Sequence, residues 1–478
     1  MTTTKDGGNN NLRDLLGEDY YNELQLTALY KKAQEGAFMP SLYDWLKKVN
    51  PDFNWDWPHT KYIIDHLQKV SDGEIRKLMI FCPPRMGKQI ADSTPVLTTK
   101  GWRKHGDLIP GDYVYHPSGK PVKVLAISEK TKSEYNVTLS TGEIIQTHGN
   151  HEWYVHDRYK RAYRIRETKE MFQQGIHNGK LGKRGSRFYY HLDPISPVEH
   201  EYKPLEIDPY VFGAWLGDGT STAPNITHAP KDVGVVEKIV EKGYSISTQG
   251  THKITGVITT CFGNTGLTQS LRRLNVYNNK HIPEIYKFSS IEQRQELIAG
   301  LVDTDGHVDK NGRVRIVTVS ERLADDIMDV LYSLGQYPYK TYQEPILSTS
   351  GIQGTEIVYT IGFQPSITFP TVLKRKKIKT KPKLRRIAIT DIEKIENGEQ
   401  GNCIQVDSPD GLYLVGKTLI PTHNSELASI HFPTYFLEKN PKNRVIIGTY
   451  NQTLANKLSR RVRSLSKTRI ELDPDRKA

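Results

Sequence analysis

Cysteine is scarce in this chain. Three residues, Cys82, Cys261 and Cys403, in a sequence of 478 cannot frame a disulfide-held fold. No CxxC or paired Cys/His spacing marks a zinc site. Long apolar runs are lacking as well. No stretch of about eighteen apolar residues is present, so no transmembrane helix is expected. The opening MTTTKDGGNNNLRD has no apolar core of a signal peptide. A cytoplasmic protein without membrane association is the expectation. An acidic excess is also missing: 66 Lys and Arg stand against 54 Asp and Glu, a net charge of +12. The surplus is gathered in runs, KRKKIKTKPKLRR (374–386), YKRAYRIR (159–166) and GKLGKRGSR (179–187). Such clustering fits contact with a polyphosphate partner.

What is present is length for two to four domains, with ordinary globular composition. The texture changes four times along the chain. Residues from about 20 to 70 show helical spacing of apolar and aromatic side chains. LMIFC (78–82) reads as a buried strand running into the turn-rich PPRMGK. From Gln89 the pattern becomes all-β, with TPVLTT, GDYVYH, PVKVLAI, EYNVTLS and GEIIQT separated by turn residues. From about 208 to 342 helices mix with strands, and YVFGAWLGDGT and ELIAGLVDTDGH look like copies of one unit. Short strands return in RRIAIT, CIQVDS and LYLVG, and after Ser425 an α/β pattern resumes.

A phosphate loop needs inward backbone N–H groups, a Lys for the phosphates and a Ser or Thr for Mg²⁺, between a strand and a helix. Residues 78–88 supply the strand, the turn, Gly87 and Lys88, but the next residue is Gln89. Removing 89–424 gives LMIFCPPRMGKSELASIHFP, which restores Gly-Lys-Ser followed by a helix. The joined segments resemble the ATPase of phage large terminases, although Cys82 stands where the usual loop has its first Gly. That resemblance implies ATP and Mg²⁺ held by Arg85, Gly87, Lys88 and Ser425 after joining, and phage packaging components as partners.

Residues 89–424 resemble an intein. TPVLTTKGW (94–102) and LIPGDYV (108–114) look like its opening strands, and LIPTHNS (419–425) like its C-terminal junction. Asn424 can cyclise on its own carbonyl, His423 stands beside it, and Ser425 offers a hydroxyl to receive the upstream segment. Gln89 is not a nucleophile. Trp153, Cys403 and Thr422 resemble the triplet of class 3 inteins, in which an internal Cys starts the reaction. The resemblance implies that Cys403 attacks the Lys88 carbonyl, that a histidine of HGNHEWYV assists, and that splicing needs no cofactor. His148 occupies the place where a Thr is usual, with Thr147 one residue further back. Both His148 and His151 therefore remain candidates, with the spacing to Trp153 favouring His151.

The two repeated stretches resemble the LAGLIDADG motifs of DOD-type homing endonucleases. Small residues let two helices pack closely, and each delivers a carboxylate, Asp218 or Asp305, to a shared site for divalent metal, Mg²⁺ by expectation. Double-stranded DNA of the uninterrupted host gene is the implied substrate. Lys253 and Lys340, one in each half, are candidate phosphate-site bases. The expected architecture is multi-domain. Host ATPase segments of the α/β P-loop type (1–88 and 425–478) flank an all-β splicing domain of the Hint type (89–205 and 373–424). That domain carries an inserted α+β endonuclease (206–372). A splicing-dead intein that retains only nuclease activity and a terminase ATPase fragment are the alternatives.

Overall fold

The computed structural model describes residues 41–49, 55–56, 58–75, 89–128, 130–177, 188–345, 355–378, 380, 386–408 and 410–422. The chain divides into two compact units, Met1–Cys82 with Ser425–Ala478, and Pro83–Asn424. The expected phosphate loop, with Arg85, Gly87 and Lys88, and the junction residues His423, Asn424 and Ser425 lie outside the described residues. No helix among those described is long and apolar enough to cross a membrane.

In the first unit the helices Leu42–Val49 and Pro58–Ser71 realise the helical spacing of the sequence. Leu42, Trp45 and Leu46 recur at three to four residues and bury against Trp55, Ile64 and Leu67.

The second unit holds two cores. The alternating segments that follow Gln89 become strands, among them Pro95–Thr98, Tyr113–Tyr115, Pro121–Ile127, Tyr135–Leu139 and Ile144–Thr147. They build two sheets. A nine-stranded sheet runs in the order Ala162–Glu167, Glu152–Asp157, Tyr190–Leu192, Ile387–Lys394, Tyr135–Leu139, Ile144–Thr147, Ile90–Ala91, Gln400–Asn402, Thr131–Lys132. A five-stranded sheet runs Ile404–Val406, Pro121–Ile127, Tyr113–Tyr115, Pro95–Thr98, Gly101–Lys104. Strands from before residue 170 thus pair with strands from after residue 386, and everything between leaves and re-enters the same β core. A separate hairpin, Tyr413–Val415 with Ile420–Thr422, ends the described chain.

The inserted core is built on two helices, Pro209–Asp218 and Ile291–Asp305. Each begins with a side-chain cap. Asp208 accepts from Tyr210 N and Val211 N, and Ser290 with Gln293 forms a capping box. The duplication expected from sequence is visible in their packing. A Cβ on Gly213 would stand 2.1 Å from Leu297 O, and one on Gly300 would stand 2.2 Å from Tyr210 O. These are equivalent positions of the two motifs, and only glycine permits the approach. A three-stranded sheet, Asn225–His228, Ile258–Cys261 and Thr248–Thr251, follows the first helix. A four-stranded sheet, Gly306–Val308, Val314–Thr318, Val358–Phe363 and Tyr339–Gln343, follows the second. The apolar cluster around the helices runs from Ile207 to Ile378, and so takes in Leu373 and Ile378 from beyond the expected boundary at 372.

The segment 195–199 joins the two cores. Ser196 N donates to Pro117 O in the β core (2.9 Å), and Val198 N donates to Ser333 O in the insert (2.8 Å). Beside it, Arg294 is fully buried and donates to Ser289 O, Ser333 Oγ and Val198 O. Burial pulls its guanidinium down to about 9.

Replacing Gly213 or Gly300 by Ala places a methyl group inside van der Waals contact with a backbone carbonyl. Overpacking of this kind costs about 1–3 kcal/mol. The expected outcome for Gly300→Ala is a loss of that size in chemical unfolding of the insert, and an unchanged midpoint contradicts the close-packed pairing.

Candidate functional sites

The first site lies around Ile90. Ile90 pairs with Thr147 on one side and with Asn402 on the other. Continuing the second register by one residue sets Gln89 level with Cys403. Gln89 is buried, its carbonyl accepts from His148 N (3.1 Å), and its amide Oε1 is buried without a hydrogen-bond partner among the described residues. Cys403 occupies the step between two sheets, after Gln400–Asn402 and before Ile404–Val406. Its backbone exchanges two hydrogen bonds with Ser128: Cys403 N to Ser128 Oγ (2.9 Å) and Ser128 N to Cys403 O (2.9 Å). The thiol is 1% exposed.

His151 stands just before the strand Glu152–Asp157. Its Nε2 lies 2.6 Å from Thr422 Oγ1, and its ring meets Trp153 edge-on at 4.9 Å. Trp153 is fully buried and donates its indole N–H to Thr168 Oγ1 (3.0 Å). That hydroxyl also lies 3.1 Å from Thr147 Oγ1, while Thr168 N donates to His151 O (3.0 Å). Thr168 therefore ties Thr147, His151 and Trp153 together. The two candidate histidines are engaged differently. The His148 ring faces Glu134 (3.6 Å) and accepts from Asn150 N, whereas the His151 ring meets the terminal strand. His105 adds a contact from the five-stranded sheet. It is fully buried, its Nε2 lies 2.9 Å from Tyr413 OH, and burial holds the imidazole down at about 4. Thr168, Ser128 and His105 were not legible as site residues, because each acts through pairing between distant segments.

The second site lies at the C-terminal ends of the two motif helices. Asp218 and Asp305 are their last residues. Enclosure by the surrounding protein raises both carboxyls, that of Asp218 to about 6, and the neighbouring charge of Asp305 adds to the rise at Asp218. Asp305 stays open to solvent on one side. Among the described residues no third Asp, Glu, His or Cys joins them.

Two lysines complete this site in matching ways. Lys280 Nζ donates to the carbonyls of Leu216 (2.9 Å), Gly217 (3.0 Å) and Gly219 (2.7 Å) at the end of the first helix. Lys376 Nζ donates to those of Asp303 (2.8 Å) and Thr304 at the end of the second. Helix C-termini leave unpaired carbonyls and negative potential, which a cation satisfies. Burial lowers both ammonium groups, Lys280 to about 8, against the pull of the acids. The lysines expected as bases lie elsewhere. Lys340 is engaged by Glu321 and Asp325, and Lys253 is exposed beyond the strand Thr248–Thr251. Asp303, the other acid of the second motif, is structural. It is buried and accepts from Tyr210 OH, Val372 N and Leu373 N.

The long basic run is held down at several points. Arg375 pairs with Asp232, Lys376 is buried at the acid pair, and Arg386 bonds Asp193 and Tyr163 OH. The run at 159–166 forms the turn and second strand of an outer hairpin. The carboxylates of that hairpin, Glu152, Asp157 and Glu167, are buried, while Arg158, Lys160 and Arg161 are exposed.

A carboxyl raised by folding favours the folded state while protonated. Stability from Asp218 is therefore present below about pH 4 and is lost as pH rises to about 6. In chelator-treated protein, Asp218→Asn is expected to unfold at a higher temperature than the parent at pH 7.5. The difference shrinks toward pH 4. Parallel curves across this range contradict the coupled pair.

Comparison with known proteins adds the following. Residues 292–356 match the family described as LAGLIDADG-like domain. The chain is 30% identical over 379 residues to the replicative DNA helicase DnaB of Mycobacterium intracellulare, covering 73% of this chain and 61% of that protein. It is 27% identical over 165 residues to the homothallic switching endonuclease of Saccharomyces cerevisiae, covering 26% of this chain and 27% of that protein. The chain thus spans less than two thirds of either curated relative. Among solved structures it is similar to the MchDnaB-1 intein, with 12% identity, a TM-score of 0.21, and coverage of 70% of this chain and 99% of that one.

Proposed function

We propose that the chain is a self-splicing precursor. In this reading it excises residues 89–424, joins Lys88 to Ser425, and carries in the excised part a nuclease for double-stranded DNA. One observation supports the splicing reading most: Gln89 lies level with Cys403, and His151 in the facing segment bonds Thr422. In this reading a nucleophile, a proton carrier and the last strand before the downstream junction act on one reaction.

The chemistry proceeds through the chain's own groups. The Cys403 thiolate attacks the Lys88 carbonyl carbon, and the Lys88–Gln89 bond breaks as the amine of Gln89 takes up a proton. His151 is the group placed to manage that proton, with Trp153 and Thr168 fixing its ring. The Ser425 hydroxyl then takes the acyl group, releasing the Cys403 thiol. Asn424, assisted by His423, cyclises on its own carbonyl and frees the downstream amine of Ser425. An O-to-N acyl shift restores a peptide bond. Trp153, Cys403 and Thr422 make this a class 3 intein.

The joined host resembles a phage terminase ATPase. Arg85, Gly87, Lys88 and Ser425 then form its ATP and Mg²⁺ loop, and packaging components are its partners.

For the nuclease, Asp218 and Asp305 present hard oxygen donors at the paired helix ends, which fits a Mg²⁺ site. A divalent cation there supplies Lewis-acid stabilisation of the phosphodiester under attack. Lys280 and Lys376 hold the helix ends that carry the acids. The exposed arginines and lysines supply phosphate contacts, with affinity that falls steeply as salt rises.

Two outcomes test the reading. Cys403→Ala is expected to abolish ligated product, while Cys82→Ala and Cys261→Ala leave it unchanged. Ligation by the Cys403→Ala chain overturns the class 3 assignment. Asp218→Asn is expected to lose Mg²⁺-dependent cleavage of a duplex carrying the uninterrupted host codons. Persistent cleavage removes Asp218 from the site.

A further inference from the structure

The terminal hairpin is held at both ends by residues that the splicing chemistry does not use. Its strands pair Tyr413 with Thr422, Leu414 with Pro421 and Val415 with Ile420. The turn between them is strained. Leu419, fully buried, takes a φ of 53°, a left-handed conformation that a branched side chain adopts only when its surroundings impose it. Glu143 reaches that turn from a segment far away in sequence. Its carboxylate accepts from Lys417 N (2.6 Å), Thr418 N (3.1 Å) and the Thr418 hydroxyl. Gly416 N donates to Pro95 O (2.8 Å), and the Lys417 ammonium sits 4.1 Å above the Trp102 ring.

At the open end Tyr413, opposite Thr422, bonds His105 Nε2 at 2.9 Å. The short turn His105–Asp107 packs beside the strand Gln400–Asn402, which leads to Cys403. The turn that carries this buried imidazole therefore touches both that strand and the hairpin that ends in Thr422. Glu143 and His151 lie eight residues apart on one stretch of chain, and they touch the turn and the last residue of the same hairpin.

We propose that Glu143 and His105 are positioning residues of the splicing site. Glu143 clamps the turn of the terminal hairpin and His105 its open end, and together they set Thr422 on His151 and in step with Cys403. This rests on the splicing reading above. A displacement of about 1 Å at a reacting centre can cost about 100-fold in rate. Loss of either clamp is therefore expected to slow the C-terminal steps more than the attack by Cys403.

The test uses the full chain and weighs its products. Cleavage after Lys88 on addition of dithiothreitol reads the attack by Cys403, and ligated product reads completion through Asn424. For Glu143→Ala, dithiothreitol cleavage is expected to stay within about two-fold of the parent, while ligation falls by about ten-fold or more. Glu143→Gln keeps one accepting oxygen and is expected to recover part of the ligation. Thr418→Val and Tyr413→Phe each remove one hydroxyl from the clamps, so they report even where a larger change prevents folding. Both are expected to shift the same ratio in the same direction. An unchanged ratio in all four variants overturns the proposal, as does an equal loss of both products in Thr418→Val and Tyr413→Phe. A parent chain that gives no ligated product overturns the splicing reading itself, and the two failures are thereby distinguished.

Discussion

Everything at the proposed splicing site depends on a strand two residues long. Ile90–Ala91 lies third from one edge of the nine-stranded sheet, between the strand that ends at Thr147 and the strand that ends at Asn402. It has no side-chain chemistry of its own. Its backbone hydrogen bonds fix register, and register fixes which residues stand beside Gln89. One neighbour is the turn that leads to His151, and the other is Cys403. Sliding this strand by a single residue moves the upstream edge away from both. In the proposed splicing reaction position 89 needs no nucleophile, because another segment brings a thiol to the same level.

The same economy governs the insert. Two helices approach so closely that Gly213 and Gly300 each face a carbonyl of the other helix. That approach brings two like charges to one end, where neither carboxylate ionises easily. Lys280 and Lys376 meet the helix-end carbonyls beside them and offset the charge without pairing directly with either acid. In the proposed nuclease these two acids hold the cation, on helix ends set by the helix interface. The insert leaves the β core at Leu192 and returns at Ile387, residues that pair with each other in adjacent strands. An inserted domain can be accommodated there because the sheet closes beneath it.

Much of this was legible in the sequence. The alternation in TPVLTT, PVKVLAI and EYNVTLS gave strands close to where they lie, and the small-residue patterns before Asp218 and Asp305 gave the paired helices. Cys403, His151, Trp153 and Thr422 were singled out through the resemblance to inteins, and His151 does lie against both Thr422 and Trp153. What was not legible depends on contacts across hundreds of residues. Ser128 meets Cys403, His105 meets Tyr413, and Glu143 meets the 417–418 turn, with no local pattern to announce any of them. Lys376 was hidden within a run of basic residues that reads as a surface feature. Lys253 and Lys340 were chosen by their place in each half, but sequence position does not say which lysine folds over a helix end.

The proposed excision makes the arrangement at Gln89, Cys403 and Thr422 a means of removing the segment that contains it. Weighing the intact products formed when the chain is expressed tests this directly. A species joining residues 1–88 to 425–478, together with a free species of residues 89–424, is the expected result. A single uncut chain, or fragments severed at one edge without ligation, contradicts it.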